Sequence, residues 1–138
     1  MTPAPSGERN STVLVVDDEP GPREALRMVL KPHFRVLTAS GGEEAVEILR
    51  RERIDVLTLD LRMPKLDGVR TLERIREVSA DVEVVVVTGF GDRESVMDTI
   101  YLGAFSYINK PFHMSDILET IRQACERRRS SFVVHPRD

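Results

Sequence analysis

The sequence lacks the compositions that are typical of disulfide-rich, membrane-spanning and nucleic-acid-binding proteins. It has no tryptophan and a single cysteine, Cys125, so no disulfide can form within the chain. This cysteine usage fits a reducing compartment such as the cytoplasm. No apolar run approaches the roughly 20 residues that a membrane-spanning helix needs. The net charge of −3 and a sequence pI of about 5.7 exclude the globally basic footprint of a nucleic-acid-binding domain.

One local basic cluster stands out, at residues 127–129, where three arginines follow one another. Three arginines are common on protein surfaces, so we interpret this cluster as a solvated helix end. We therefore expect neither direct binding to nucleic acid nor association with a membrane.

The chain is long enough for one domain with one hydrophobic core. It has 138 residues, of which 41% are hydrophobic and 31% are charged, as in ordinary globular domains. Residues 1–10 combine prolines, a glycine and polar residues, which predicts a disordered lead-in. Residues 11–129 are predicted to form the domain, and residues 130–138 a C-terminal tail or linker stub too short for a second domain.

Apolar runs of strand length alternate with segments of helical period. The runs predict five strands, at residues 12–16, 34–38, 54–59, 82–87 and 104–108, each followed by a helical pattern. Ser40 and Glu43 have the spacing of a capping box at the start of the second helix. The strands are continuous apolar runs, so both faces of the sheet should be covered. The pattern predicts an α/β domain with a five-stranded, doubly wound parallel sheet, (βα)5 in outline.

Polar residues of particular kinds follow the predicted strands. Asp17 and Asp18 follow the first strand, Asp60 the third, Thr88 the fourth and Lys110 the fifth. In an open parallel sheet the carboxyl ends of the strands form the ligand site, so these side chains should converge there. Crowded carboxylates repel one another unless a cation neutralises them. An oxygen-only set favours Mg²⁺ over zinc. One strand-end aspartate alone is more simply a helix cap, but packing does not require the whole set together.

Four segments carry a family resemblance: VLVVDDE at 13–19, DVLTLDLRMPKLDG at 55–68, VVTGFG at 86–91 and LGAFSYINKPF at 102–112. As an ordered set they resemble the receiver domains of bacterial two-component response regulators, in the CheY-like superfamily. The resemblance runs from about residue 12 to about residue 126. It implies the flavodoxin-like receiver fold. The sequence around Thr88 and the run from Leu102 resemble most closely receivers attached to σ54-type activators.

The resemblance implies a role for each strand-end residue. Asp60 resembles the phosphoacceptor, Asp18 resembles a direct ligand of the cofactor Mg²⁺, and Asp17 resembles a ligand that acts mainly through water. Asp60 and the backbone carbonyl of Arg62 would complete the protein's share of the metal shell. Lys110 resembles the lysine that pairs with the phosphoryl group.

Three further residues resemble the family's switch and loop positions. Thr88 and Tyr107 resemble the switch pair, in which the threonine hydroxyl bonds the phosphoryl group and the tyrosine ring fills the space that it leaves. Pro111 resembles the proline that shapes the lysine loop, commonly through a cis peptide bond.

The function implied is a cytoplasmic, phosphorylation-controlled signalling switch. It would take its phosphoryl group from a histidine kinase or phosphotransfer protein, and it is not an enzyme beyond its own Mg²⁺-dependent phosphorylation and dephosphorylation. The response would appear on the face built by the helix at residues 92–102, the fifth strand and the helix at residues 114–128. That face would act on a second copy of the chain, a partner or an output domain.

Two other functions are compatible with an aspartate-bearing sheet of this kind. A hydrolase of the haloacid-dehalogenase kind also uses an aspartyl phosphate, but it needs a second aspartate two residues after the nucleophile, where this chain has Arg62. A degenerate receiver that only binds partners would not need the complete set of site residues.

Overall fold

The computed structural model describes residues 11–61, 68–89 and 93–132, and within them five strands alternate with five helices. In chain order the elements are β1 (Thr12–Val16), α1 (Pro20–Leu30), β2 (Arg35–Ala39), α2 (Gly42–Arg51), β3 (Val56–Leu59), α3 (Gly68–Val78), β4 (Glu83–Thr88), α4 (Arg93–Tyr101), β5 (Ser106–Asn109) and α5 (Met114–Phe132). None of the helices described is both long enough and apolar enough to cross a bilayer. The predicted disordered lead-in and the end of the predicted tail lie outside the described residues.

The strands form one parallel sheet in the order β2-β1-β3-β4-β5. Parallel neighbours cannot be joined by a tight turn, so each connection runs through a helix. The chain moves outward from β1 to β2 and then returns to the other side of β1 to form β3. The direction of winding therefore reverses between β1 and β3, which opens a crevice at their carboxyl ends. The predicted doubly wound α/β fold is confirmed.

The sheet is covered on both faces, as the continuous apolar strands predicted. Side chains that alternate along each strand divide between two cores. One core includes Leu72 and Ile75 of α3 together with residues of α2, and the other includes Ile117 and Ile121 of α5 together with residues of α1. These four side chains are fully buried. Each contributes about 1.5–3 kcal/mol through removal of apolar surface from water.

Several element ends differ from the predicted ones. β4 extends through Thr88 instead of ending before it, and β5 ends at Asn109. α5 continues to Phe132, three residues beyond the predicted domain boundary at residue 129. Apolar patterning alone misses such ends, because a strand or helix can incorporate polar residues as long as its backbone hydrogen bonds continue.

The predicted capping box at the start of α2 is wrong by one residue. Glu44, not Glu43, accepts hydrogen bonds from the backbone N–H of Ser40 at 2.8 Å and from its hydroxyl at 3.0 Å. The helix begins at Gly42, one residue later than a Ser40 cap requires. The backbone hydrogen bond from Ser40 holds the pKa of Glu44 below its usual value.

The interpretation of residues 127–129 as a solvated cluster is wrong for Arg128. This side chain is buried at the amino edge of the sheet, where its Nη1 donates to the backbone carbonyl of Asp81 at 2.6 Å. Its Nε lies 3.6 Å from the carboxylate of Asp55. Arg127 is exposed and pairs with Glu83 at 3.4 Å. A long arginine stem lets a charge at a helix end reach buried partners, and sequence alone does not reveal this.

Arg76 of α3 connects three segments through backbone carbonyls. Its guanidinium donates to Leu102 at 3.0 Å and Gly103 at 2.8 Å, and to Ala80 and Val82 in the turn before β4. Gly103 has a φ of 84°, a conformation that L-residues rarely adopt, and it forms the turn between α4 and β5. Burial lowers the pKa of Arg76, although the neighbouring carboxylate of Glu83 offsets part of this effect.

Candidate functional site

Asp17 and Asp60 lie side by side at the reversal point of the sheet. Asp17 directly follows β1 and Asp60 directly follows β3, and these two strands are hydrogen-bonded neighbours. The backbone N–H of Asp60 donates to the carbonyl of Val16 at 3.3 Å, which continues the ladder past the strand ends. Both aspartates are nearly buried, at 6% and 7% exposure. Two acidic side chains are thus held close together in a partly dry crevice.

Lys110 is the cation that joins these two carboxylates. Its Nζ lies 3.0 Å from Oδ2 of Asp60 and 3.3 Å from Oδ2 of Asp17. Burial disfavours the charged lysine, but the hydrogen bond to Asp60 and the charge of Asp17 outweigh burial, so the pKa of Lys110 lies above its usual value. Segments far apart in the chain therefore form one charge cluster with its lysine protonated at neutral pH.

The position of Lys110 is fixed by its backbone. Its N–H donates to the carbonyl of Thr88 at 3.1 Å, which extends the pairing of β4 with β5 by one residue. The peptide bond between Lys110 and Pro111 is cis, as the resemblance implied. The hydrogen bond to Thr88 holds Lys110 at the carboxyl edge of the sheet, beside the two aspartates.

Thr88 and Tyr107 lie on neighbouring strands and on the same face of the sheet. Thr88 is the last residue of β4 and is fully buried, whereas Tyr107 of β5 is partly buried and packs against the core that includes α2 and α3. Tyr107 is paired in register with Val86, two residues before Thr88. Side chains two residues apart on a strand point to the same face, so the structure places the predicted pair close together.

The remaining predicted ligands are less closely joined to this cluster. Asp18 is partly buried, and its side chain forms no hydrogen bond or ion pair with the residues described. Arg62, whose backbone carbonyl was predicted to bind metal, lies outside the described residues. The backbone N–H of Glu19 donates to Oδ1 of Asp17 at 3.0 Å and helps to orient that carboxylate.

The donor set can be tested for its fit to Mg²⁺. Within residues 11–61, 68–89 and 93–132, no three His, Cys, Asp or Glu side chains lie close enough together to hold a metal ion by themselves. Magnesium differs from zinc in that it keeps several waters and usually needs only one or two protein carboxylates. The paired, nearly buried carboxylates of Asp17 and Asp60 fit this requirement.

A cavity of about 280 Å³ opens beside the charge cluster. Asp60 and Lys110 form part of its lining, and apolar side chains of α1 such as Leu26 and Val29, with Phe112 after β5, form much of the remainder. Asp60 therefore borders open space although it is nearly buried.

Sequence reasoning missed one residue at this site, Arg23. Its Nη1 donates to the backbone carbonyl of Asp17 at 2.8 Å. The available signal was a basic residue close to the start of a helix, where the macrodipole disfavours positive charge.

Comparison with known proteins identifies the family. The sequence profile of the response regulator receiver domain matches residues 13–122. The chain belongs to the response regulator receiver domain family. It is 30% identical over 115 residues to sporulation initiation phosphotransferase F of Bacillus subtilis, covering 83% of this chain and 93% of that protein. It is 39% identical over 120 residues to the hydrogenase transcriptional regulatory protein HoxA of Cupriavidus necator.

The extent of these matches differs between relatives. The match with HoxA covers 86% of this chain but only 25% of HoxA. Among solved structures, a receiver domain protein of Clostridium thermocellum superposes with a TM-score of 0.82 at 31% identity, covering 88% of this chain and 99% of that one. The receiver fold and family predicted from the four sequence segments are therefore confirmed, whereas the resemblance to σ54-type activators stays a prediction.

Proposed function

We propose that this receiver domain is a phosphorylation-controlled switch that accepts a phosphoryl group on Asp60. The observation that carries the proposal is the contact of Lys110 with both Asp60 and Asp17 at the reversal point of the sheet. A chain that only binds partners does not need a nearly buried carboxylate with an adjacent ammonium group.

The reaction requires little proton chemistry from the protein. An Asp60 oxygen attacks the phosphorus of the donor, the bond between phosphorus and the donor's leaving atom breaks, and the electron pair leaves with that atom. A carboxylate is already ionised at neutral pH, so no base is needed. Lys110 neutralises the equatorial oxygens of the transferring group, and catalysis is mainly positioning and electrostatic stabilisation.

Asp18 and Asp60, with the backbone carbonyl of Arg62, would hold the Mg²⁺ directly, and Asp17 would act mainly through a water ligand. When bound, Mg²⁺ supplies positive charge to the acidic cluster and to the phosphoryl oxygens. The carboxylate of Asp18 makes no bond within the described part of the chain, so it stays available as a ligand.

The phosphoryl group then biases the packing of Thr88 and Tyr107. A hydrogen bond from the Thr88 hydroxyl to the acyl phosphate would draw that side chain toward Asp60, and the Tyr107 ring would fill the vacated space. A bias of about 1.4 kcal/mol changes a two-state ratio tenfold, and one hydrogen bond with one charged contact is of that order.

We place the output on the surface formed by α4, β5 and α5, which Tyr107 adjoins. This surface exposes large apolar side chains, among them Met97, Ile100, Tyr101 and Met114. Tyr101 is 89% exposed. Such residues fit docking of a second copy, a separate partner or an output domain. The phosphoryl donor would be a histidine kinase or a phosphotransfer protein, and we assign no direct role to nucleic acid or a membrane.

Incubation with Mg²⁺ and acetyl phosphate, followed by intact-mass measurement, tests the acceptor. The wild type should gain one phosphoryl group, and Asp60→Asn should gain none, because the amide is nearly isosteric but not nucleophilic. Asp55→Asn, which changes a carboxylate at the opposite edge of the sheet, is the matched control and should still be phosphorylated. Rapid turnover of acetyl phosphate without a stable adduct would indicate a hydrolase. Absence of any reaction would indicate a degenerate receiver.

Sedimentation with and without beryllofluoride tests the output surface. Activation should promote association in the wild type and in the control Met28→Ser, a half-exposed methionine of α1, but not in Tyr101→Ser. Tyr107→Ala should also lose the response, since it interrupts the proposed path. A monomer in every condition would remove homodimerisation and leave docking of a separate partner.

A further inference from the structure

The guanidinium of Arg23 reaches from α1 back to the loop that carries the acidic residues. Its Nη1 donates to the carbonyl of Asp17 at 2.8 Å, while its backbone N–H donates to the carbonyl of Glu19 at 3.1 Å. A single residue thus ties both ends of the segment 17–19 to the first turn of the helix.

Arg23 occupies a position that is unfavourable for the helix itself. A cation near a helix N-terminus opposes the macrodipole and destabilises the helix slightly. The first turn of α1 has no acidic residue, and Glu19 makes no side-chain capping bond there. The hydrogen bond to the Asp17 carbonyl offsets this unfavourable interaction. We therefore expect the role of Arg23 to concern the loop at residues 17–19.

Hydrogen bonding of the Asp17 carbonyl has a geometric consequence. A peptide unit is planar, so fixing the carbonyl of Asp17 fixes the plane that joins it to Asp18. That plane sets the directions in which both side chains leave the backbone. The Asp17 carboxylate has further support from Glu19 and Lys110. Asp18 makes no side-chain bond among the described residues, so its direction depends on the backbone.

We propose that Arg23 is a positioning residue for the acidic site, which aims the carboxylates of Asp17 and Asp18 at a divalent cation by holding the Asp17 carbonyl. The inference rests on the proposed function, because it assumes that these carboxylates bind Mg²⁺. Arg23 itself does not touch the cation or the phosphoryl group.

The charge of Arg23 and its positioning role predict effects of opposite sign. A positive charge near the acidic cluster repels Mg²⁺, so removal of the charge alone would strengthen Mg²⁺ binding. Release of the Asp17 carbonyl would instead loosen the ligands and weaken binding. The direction of the change therefore separates the two roles.

Calorimetric titration of Mg²⁺ into Arg23→Met, Arg23→Lys and wild type is the test. Methionine keeps the apolar stem but has neither charge nor donor, and we expect its Kd for Mg²⁺ to rise about five- to tenfold, as for loss of one ordinary hydrogen bond. Lysine keeps the positive charge and can still donate a hydrogen bond to the Asp17 carbonyl, so it should restore the Kd to within about threefold of wild type. Arg27→Met is the control, since Arg27 lies one turn later and pairs with Glu24 on the exposed side.

Two further measurements exclude a purely structural effect. In urea unfolding without Mg²⁺, the midpoints of Arg23→Met and Arg27→Met should shift from that of the wild type by similar amounts. We also expect Arg23→Met to be phosphorylated more slowly than the wild type, and a higher Mg²⁺ concentration should restore its rate. A Kd for Arg23→Met equal to or below that of the wild type would overturn the inference. Absence of Mg²⁺ binding in the wild type would overturn the proposed metal site together with it.

Discussion

Replacement of Lys110 by methionine isolates the energetic role of the bridging cation. Its Nζ lies 3.0 Å from Asp60 and 3.3 Å from Asp17, and the side chains of both aspartates, taken without their backbone, are only 8% exposed. At 3.0 Å the gross Coulomb attraction is about 5 kcal/mol for an effective dielectric constant of about 20. Removing one partner of a fully buried ion pair costs about 3–5 kcal/mol. The lysine side chain is 26% exposed, so we expect a smaller cost.

The expected net loss is about 2 kcal/mol, which corresponds to a fall in Tm of roughly 6–10 °C for a chain of this size. The assay is urea unfolding of the Mg²⁺-free protein, with Lys31→Met as a control for loss of an exposed lysine. Adding Asp60→Asn to Lys110→Met should restore about half of the loss, because only one uncompensated carboxylate then remains. Additivity of the two substitutions within about 0.5 kcal/mol would refute the direct coupling.

The pH dependence gives the same prediction a second readout. The pKa of Lys110 is raised in the folded state from a reference value of 10.5. A raised pKa means that the stabilisation is fully present below the unfolded-state pKa and is lost as pH rises through the folded-state pKa. Wild-type stability should therefore decline above about pH 10.5, whereas the corresponding decline in Lys110→Met should be shallower.

Three further predictions concern other parts of the structure. Asp18→Ala should weaken Mg²⁺ binding at least tenfold, because magnesium has few protein ligands, and leave the unfolding free energy of the metal-free protein within about 0.5 kcal/mol of wild type; equal Mg²⁺ affinities in a titration would remove Asp18 from the ligand set. Arg76→Ala should cost about 2–3 kcal/mol and speed amide exchange at Leu102 and Gly103, since their carbonyls lose a shared charged donor; unchanged exchange would contradict the connecting role. Glu44→Gln should make the loss of stability at acid pH less steep. The pKa of Glu44 is lowered in the folded state, so its carboxylate stabilises the fold above the reference pKa of 4.5, and this stabilisation is lost as pH falls through the folded-state pKa. Urea midpoints that fall equally in both proteins below that pH would show that Glu44 contributes nothing there.

The contacts among the strand-end side chains could be predicted from the sequence, because the position of the backbone alone brings these residues together. Asp17, Asp60 and Lys110 each follow a strand of a parallel sheet, and strand ends converge whatever the intervening helices contain. The sequence alone therefore predicts that these three side chains lie close together. The burial of Arg128 and the contact of Arg23 with the Asp17 carbonyl were not predictable, because a long side chain can adopt many rotamers and its partner lies on another segment.

The sequence by itself determined the layered α/β fold, the family and the edge of the sheet at which the site forms. Apolar periodicity and strand-end residues act through local backbone geometry, so they can be read without knowing which segments pack together. Only the tertiary structure decided that Lys110 bridges Asp17 and Asp60, that Glu44 and not Glu43 bonds Ser40, and that α5 runs to Phe132. These features depend on distances of a few ångströms between side chains and backbone groups, and those distances exist only once the sheet and its helices have assembled.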